Sequence, residues 1–191
     1  MKAQSKIRRH PERSVPQEYK EILLEGWVAH VGFSLEGQPY VIPFLYHYDS
    51  KEPDILYLHG ARGSRALRWL TSGAPVCVEV TLLDGLVYSR TALYHSANYR
   101  SVVAFGRAKR ITAPEKKAAI FEEMTARYFP GRTAGKDYEH ALPAHLKATE
   151  MLEVAIESWS AKARRGGPKG PADEDEQAPG SAGVLEMNRF V

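Results

Sequence analysis

The segment best equipped for chemistry is Gly60-Ala61-Arg62-Gly63-Ser64-Arg65. It follows a β-rich run ending at His59 and precedes a short helical pattern through Leu70. A helix N-terminus carries backbone N–H groups without acceptors and the positive end of the dipole. Ser64 adds a hydroxyl, and Arg65 a guanidinium fork that can grip two oxygens. Together they would form a phosphate cradle; Ser64 as a plain N-cap with Arg65 in water fits the same letters. The Gly-Lys-Ser/Thr core of a Walker loop and the dinucleotide glycine fingerprint are both missing. The second candidate is Ser96-Ala97-Asn98-Tyr99-Arg100-Ser101-Val102-Val103, where polar side chains crowd a strand start. Alternation puts Tyr99, Ser101 and Val103 on one face. Polar groups on an apolar barrel face need partners, and a heteroaromatic ligand with carbonyls and ring nitrogens would supply them. Lys162 and Arg164 share strand parity with Leu152, Val154 and Ile156. A straight strand would end its inward face on two cations that need an anion; a bulge or strand end at Ser158 would free them into solvent. The histidines at 10, 30, 47, 59, 95, 140 and 145 make no zinc spacing, and no Gly-x-Ser-x-Gly elbow exists. Neither a metal site nor a catalytic side chain is expected.

The elements that must hold these groups are mostly strands. Ser14-Val15-Pro16-Gln17 has capping-box spacing and opens a first helix that Gly26 ends. Strands are predicted over Trp27 to Leu35 and Gln38 to Tyr48, joined by a hairpin turn at Glu36-Gly37, and over Asp54 to His59. Pro43 cannot donate to a ladder, so its strand must have an open side or a bulge there. Val76, Val78, Val80 and Leu82 alternate cleanly, Asp84-Gly85 reads as a turn, and Tyr99 to Ile111 is again β-like. Thr112-Ala113-Pro114-Glu115 is a second capping box, opening a helix with Phe121, Met124 and Tyr128 on one face. Glu150 to Arg164 reads as a strand. Hairpin-linked strands with few helices favour an antiparallel barrel, closed or half closed.

Composition narrows the class. The 191 residues, 43% hydrophobic and 26% charged, suit one globular domain with a tail. The reading divides them into a basic arm (1–13), a domain (14–165) and a Gly/Pro/acidic segment (166–191) that reads as mobile and could dock at 183–187. No run approaches the ~18 apolar residues of a membrane span. The basic start lacks the apolar core of a signal peptide, so a cytoplasmic location is expected. The lone Cys77 allows no intramolecular disulfide. Basic residues gather at Lys2, Lys6, Arg8, Arg9 and Arg13 and again at Lys162, Arg164, Arg165 and Lys169. The net charge is only +3, and Asp173-Glu174-Asp175-Glu176 opposes a continuous positive face, so nucleic-acid binding is not expected.

Several stretches occur in a telling order: Gly37-Gln38-Pro39-Tyr40-Val41-Ile42-Pro43, Leu56-Tyr57-Leu58-His59-Gly60 with Ser64-Arg65, Val76-Cys77-Val78, Asp84-Gly85-Leu86-Val87, and Ser96 through Ala108. Together they resemble the pyridoxamine 5′-phosphate oxidase-like flavoproteins, in the branch of the nitroimidazole-resistance proteins. The resemblance implies a mainly β, antiparallel Greek-key split barrel, a homodimer with FMN at the subunit interface. By that analogy Ile42, Pro43 and Phe44 line the flavin ring, and His59, Gly60, Ser64 and Arg65 hold the phosphate end. Tyr99, Ser101 and Val102 would also meet the flavin, with Lys162 and Arg164 as further contacts. Ala66 stands where the oxidases follow their arginine with lysine, and the substrate-phosphate residues of true pyridoxamine phosphate oxidases find no match. The function implied is an FMN-dependent oxidoreductase acting on a small reducible molecule of nitroaromatic or quinone-like kind. The alternative is a flavin- or haem-binding store or sensor without turnover, with His59 or His95 as an axial ligand.

Overall fold

Glu36 and Gly37 both take positive φ, 52° and 82°, as a tight two-residue hairpin turn requires. They join β1 (Val28–Leu35) to β2 (Gln38–His47). The computed structural model describes residues 5–187, so Lys2 lies outside the described residues. The remaining strands are β3 (Ile55–Ala61), β4 (Pro75–Tyr88), β5 (Ser96–Arg110), β6 (Thr149–Arg164) and β7 (Gly183–Glu186). All pairings are antiparallel, in the order β1-β2-β3-β6-β5-β4-β7. A further pairing of β1 with β4, His30↔Glu79 to Gly32↔Cys77, closes the sheet into a barrel. The mainly β antiparallel barrel expected from the sequence is the fold found. No helix among the described residues is long and apolar enough to cross a membrane.

Inside the barrel, Leu56, Leu58 and Leu152 from strands meet Ile22 and Leu23 of α1 (Tyr19–Glu25) and Leu67 and Leu70 of α2 (Arg65–Leu70). All seven are fully buried, each worth ~1.5–3 kcal/mol of apolar transfer. A second cluster forms outside the barrel. There Ile120 and Met124 of α3 (Pro114–Tyr128) cover Tyr57, Ile111 and Met151. Arg127 of α3 ties the two layers together, donating to the carbonyls of Tyr46 (2.8 Å), Leu23 (2.9 Å), Leu24 (2.9 Å) and Gly26. These include carbonyls that the end of α1 leaves without intrahelical donors. A short helix α4 (Pro143–Ala148) precedes β6.

Three local expectations are corrected. Ser14 is not the N-cap of the first helix: it bridges to Lys162, a 3₁₀ turn runs from Pro16 to Glu18, and α1 starts at Tyr19. Thr112 is not the cap of α3 either. Pro114 takes the first helical position and Ala113 the extended cap position, without a side-chain cap bond, as a residue before proline prefers. Asp84-Gly85 is no turn; β4 runs on through it with a register irregularity between Leu83 and Gly85 and pairs with β7 beyond.

A second irregularity decides which way the end of β6 faces. Phe105 pairs with Ser158 and Gly106 with Ile156, leaving Glu157 as the extra residue. A Cβ on Gly106 would sit 1.9 Å from the Ala155 carbonyl oxygen, so only glycine permits this approach. The bulge inverts side-chain parity: Leu152 and Val154 are buried before it, Ala161 and Ala163 after it. Lys162 and Arg164 therefore leave the inward face, and the straight-strand expectation for them is overturned.

Segment 166–187 is fastened to the barrel. Asp173 accepts from the Ser89 hydroxyl (2.9 Å) and Arg90 N (2.8 Å), while Arg90 Nη1 donates to the carbonyls of Ala178 and Gly180. β7 then docks on β4, Leu185 opposite Leu86.

Candidate functional site

The barrel is split between β2 and β3. They pair only at Tyr46↔Leu58 and His47↔Tyr57. From Gln38 to Leu45, β2 has a neighbour strand on one side alone, β1. The open side expected beside Pro43 is there. Helix α2 approaches the mouth of this gap, where Arg65 reaches Tyr40 of β2. Leu67 and Leu70 fill the barrel behind it, and Trp69 Nε1 donates to the Ser34 carbonyl (2.9 Å) near the hairpin tip. A Cβ on Gly60 would lie 2.8 Å from Leu67 Cδ1, which shows how closely α2 follows the end of β3.

Ser64 is the N-cap of α2, its Oγ accepting from Leu67 N at 3.3 Å. The helix has only six residues, so its dipole is small and the charge at this mouth comes from Arg65. That guanidinium is exposed, 5.4 Å above the Tyr40 ring, with Nη2 3.4 Å from the Tyr40 hydroxyl. Among the described residues no ion pair engages it. A long contact to one hydroxyl leaves most of its five donors for an oxyanion. Tyr40 was missed in the sequence as a site residue; it is 25 positions from Arg65 and reaches it only across the split.

His59 faces the other way, toward α3. Its ring meets Phe121 edge-on, centroids 5.0 Å apart. Nδ1 is buried without a hydrogen-bond partner, and burial holds the imidazole below its ordinary 6.5. The ring is thus neutral near pH 7, with an unused buried nitrogen. His95 is exposed, and its Nδ1 lies 3.0 Å from the Ala92 carbonyl. His47 lies near Tyr57 on the α3 side; its Nε2 is 3.1 Å from Glu123 Oε2 but outside hydrogen-bond geometry. Burial lowers this histidine against the opposing pull of Glu123.

The other sequence candidates divide between two faces. Ile42 and Phe44 are half-buried and pack against the barrel core, while Pro43 is exposed on the opposite face. Val102 is 1% exposed and belongs to the core. Tyr99 and Ser101 stand on the outer face opposite Arg164 and Lys162. Ser101 Oγ is 3.5 Å from the Lys162 carbonyl, and Lys162 Nζ donates to the Arg9 carbonyl at 3.1 Å. Arg164 is committed to Asn98 Oδ1 and the carbonyls of Gly166 and Gly167. Burial, then Arg13, hold its guanidinium below its usual range. One chain therefore carries two separate groups of site residues, around Arg65 and around Ser101. Exposed apolar side chains, Val28 and Val41 with Leu45, accompany Pro43 on the outer face. No cluster of three or more metal-ligating side chains occurs among the described residues.

The family described as pyridoxamine 5′-phosphate oxidase matches residues 16–163. A FAD- and haem-binding protein from Mycobacterium smegmatis is 34% identical with a TM-score of 0.79, covering 91% of this chain and 82% of its own. The flavocytochrome Anf3 from Azotobacter vinelandii is 29% identical with a TM-score of 0.84, covering 99% and 86%. A candidate 5-nitroimidazole antibiotic resistance protein from Bacteroides thetaiotaomicron, 23% identical with a TM-score of 0.62 over 78% and 84%, shares the fold. No curated protein matches. With most of the barrel inside the matched span, the chain belongs to the pyridoxamine 5′-phosphate oxidase family.

Proposed function

We propose that this protein binds a flavin, FMN, between two copies of the chain and uses it as an oxidoreductase on a small molecule. The observation that carries the reading is the split itself. An unpaired β2 edge runs from Gln38 to Leu45, and an exposed Arg65, held by Tyr40 and without an ion-pair partner among the described residues, stands across it on Ser64-capped α2. Backbone groups of an open edge can hydrogen-bond the carbonyls and ring nitrogens of a flat heteroaromatic. The guanidinium suits a phosphate, and Ser64 can donate its hydroxyl to the same group. Two of the similar structures are described by bound flavin or as a flavocytochrome, which supports the same ligand class.

A bound flavin supplies the electron or hydride chemistry. The chain's own residues would position it. Ile42 and Phe44 back the β2 edge, while Pro43 and its exposed apolar neighbours form the floor that a second copy covers. Such a dimer would bring one copy's Tyr99, Ser101 and Lys162 toward the other's split, which unites the two groups of site residues. Titration of the apoprotein with FMN and with FAD, read by quenching of flavin fluorescence, tests the ligand. Sedimentation of the same samples tests the dimer. Saturation by FMN in a dimer is expected; no quenching with either flavin overturns the reading.

His59 favours a second reading, haem held in addition to flavin. Its buried Nδ1 lacks a partner and its ring is neutral, as an axial ligand requires. A Soret band lost in His59→Ala supports this reading, and haem reconstitution without any Soret shift contradicts it.

A further inference from the structure

We propose that a second cavity, separate from the split, binds an organic phosphate with a compact apolar body. This cavity has a volume of about 510 Å³ and lies between α4, the start of α3, and the ends of β5 and β3. The volume is that of small-molecule sites. Its charged lining is Arg62, Arg110, Lys117 and Lys147 against a single carboxylate, Glu150, which leaves a net charge of +3.

The cations are differently held. Glu150 is 3% exposed and accepts from Arg110 Nε at 2.7 Å, so this pair is neutral overall and fixes the guanidinium. Lys117 is half-buried and donates to the carbonyls of Leu146 (3.2 Å) and Thr149 (2.8 Å). It has no ion-pair partner among the described residues, and a third N–H remains. A partly desolvated ammonium without a counter-ion is the group a phosphate would repay most. Arg62 turns away from Arg65: its backbone N donates to the Ala148 carbonyl (3.0 Å) and Nη1 reaches the Lys147 carbonyl at 3.5 Å. It thus serves α4, whereas Arg65 serves β2. Ile111, Pro114, Pro143 and Leu146 give the cavity an apolar wall. Convergent cations on an apolar wall match a phosphate headgroup joined to an aliphatic or aryl body better than they match a bare ion.

The test uses the flavin-loaded full-length protein and phenyl phosphate as the probe, by titration calorimetry with flavin absorbance recorded in parallel. One site per chain is expected, with Kd below about 1 mM. Arg62→Glu combined with Lys147→Glu, both at exposed positions, should weaken binding by about tenfold or more. Lys117→Met should abolish it; the double variant keeps the test valid if loss of Lys117 loosens α4. Benzyl alcohol and inorganic phosphate should each bind more weakly than phenyl phosphate. Flavin content should stay constant throughout, which separates this proposal from the flavin reading. It is overturned by no saturable heat up to about 10 mM, by undiminished binding in the double variant, by equal binding of inorganic phosphate, or by flavin release when the probe is added.

Discussion

Gly106→Ala tests the feature that aims the end of β6. The added Cβ would lie 1.9 Å from the Ala155 carbonyl oxygen, 2.9 Å from its carbon and 3.3 Å from Ile156 Cα. All three are backbone atoms, so no side chain can rotate away. Overpacking in a tight site costs ~1–3 kcal/mol when side chains can adjust. Here the strands must part or the bulge must slide, at ~1 kcal/mol for each ladder hydrogen bond lost. We expect a loss of about 3–5 kcal/mol, or roughly 6–20 °C in Tm for a chain of this size. Circular dichroism melts and urea unfolding measure it. Gly167→Ala is the control, because a Cβ there meets nothing within 4 Å. A bulge ironed flat would also turn Lys162 and Arg164 inward. A Gly106→Ala melt within about 2 °C of the parent would refute the claim that glycine is required at the bulge.

Other predictions follow from the same geometry. Arg65→Ala should weaken FMN binding by about 10–100-fold, the value of one or two charge-assisted hydrogen bonds; unchanged affinity would remove Arg65 from the phosphate site. Burial holds His59 below its ordinary 6.5, so the unfolded chain takes up its proton first as pH falls. Stability is complete above about pH 6.5 and declines below it, by up to ~1.4 kcal/mol per pH unit. Urea midpoints from pH 7.5 to 5.5 should fall less steeply in His59→Leu. Asp173→Ala removes the acceptor for Ser89 and Arg90 N and should speed proteolytic cleavage within 170–182 by about tenfold; equal rates would show that β7 alone holds the segment.

Much of the fold was legible because its signals are local. Glu36-Gly37 announces a hairpin through two left-handed residues, and Val76 to Leu82 alternate without interruption. Ser64 caps its helix as its position suggests. Misreadings arose where proline or a distant strand set the outcome. Pro114 holds Ala113 extended, and Pro16 opens a 3₁₀ turn ahead of α1, so neither capping box forms where the sequence places it. Gly85 lies inside β4 because β5 pairs on one side of it and β7, about a hundred residues later, on the other. The bulge at Glu157 depends on Gly106 across the ladder, so the local sequence left Lys162 and Arg164 with two possible directions. The site was legible in its parts, the Pro43 edge and Ser64-Arg65. Their meeting through Tyr40, and the separation of Ser101 from them on one chain, required the barrel.

A flavin in the split would colour the protein. The most direct test is the visible spectrum of the protein as purified, followed by heat release of the chromophore and its mass. Flavin absorption, released FMN and close to one flavin per chain are expected. A colourless protein that also takes up neither FMN nor FAD on reconstitution would contradict a flavin in the split.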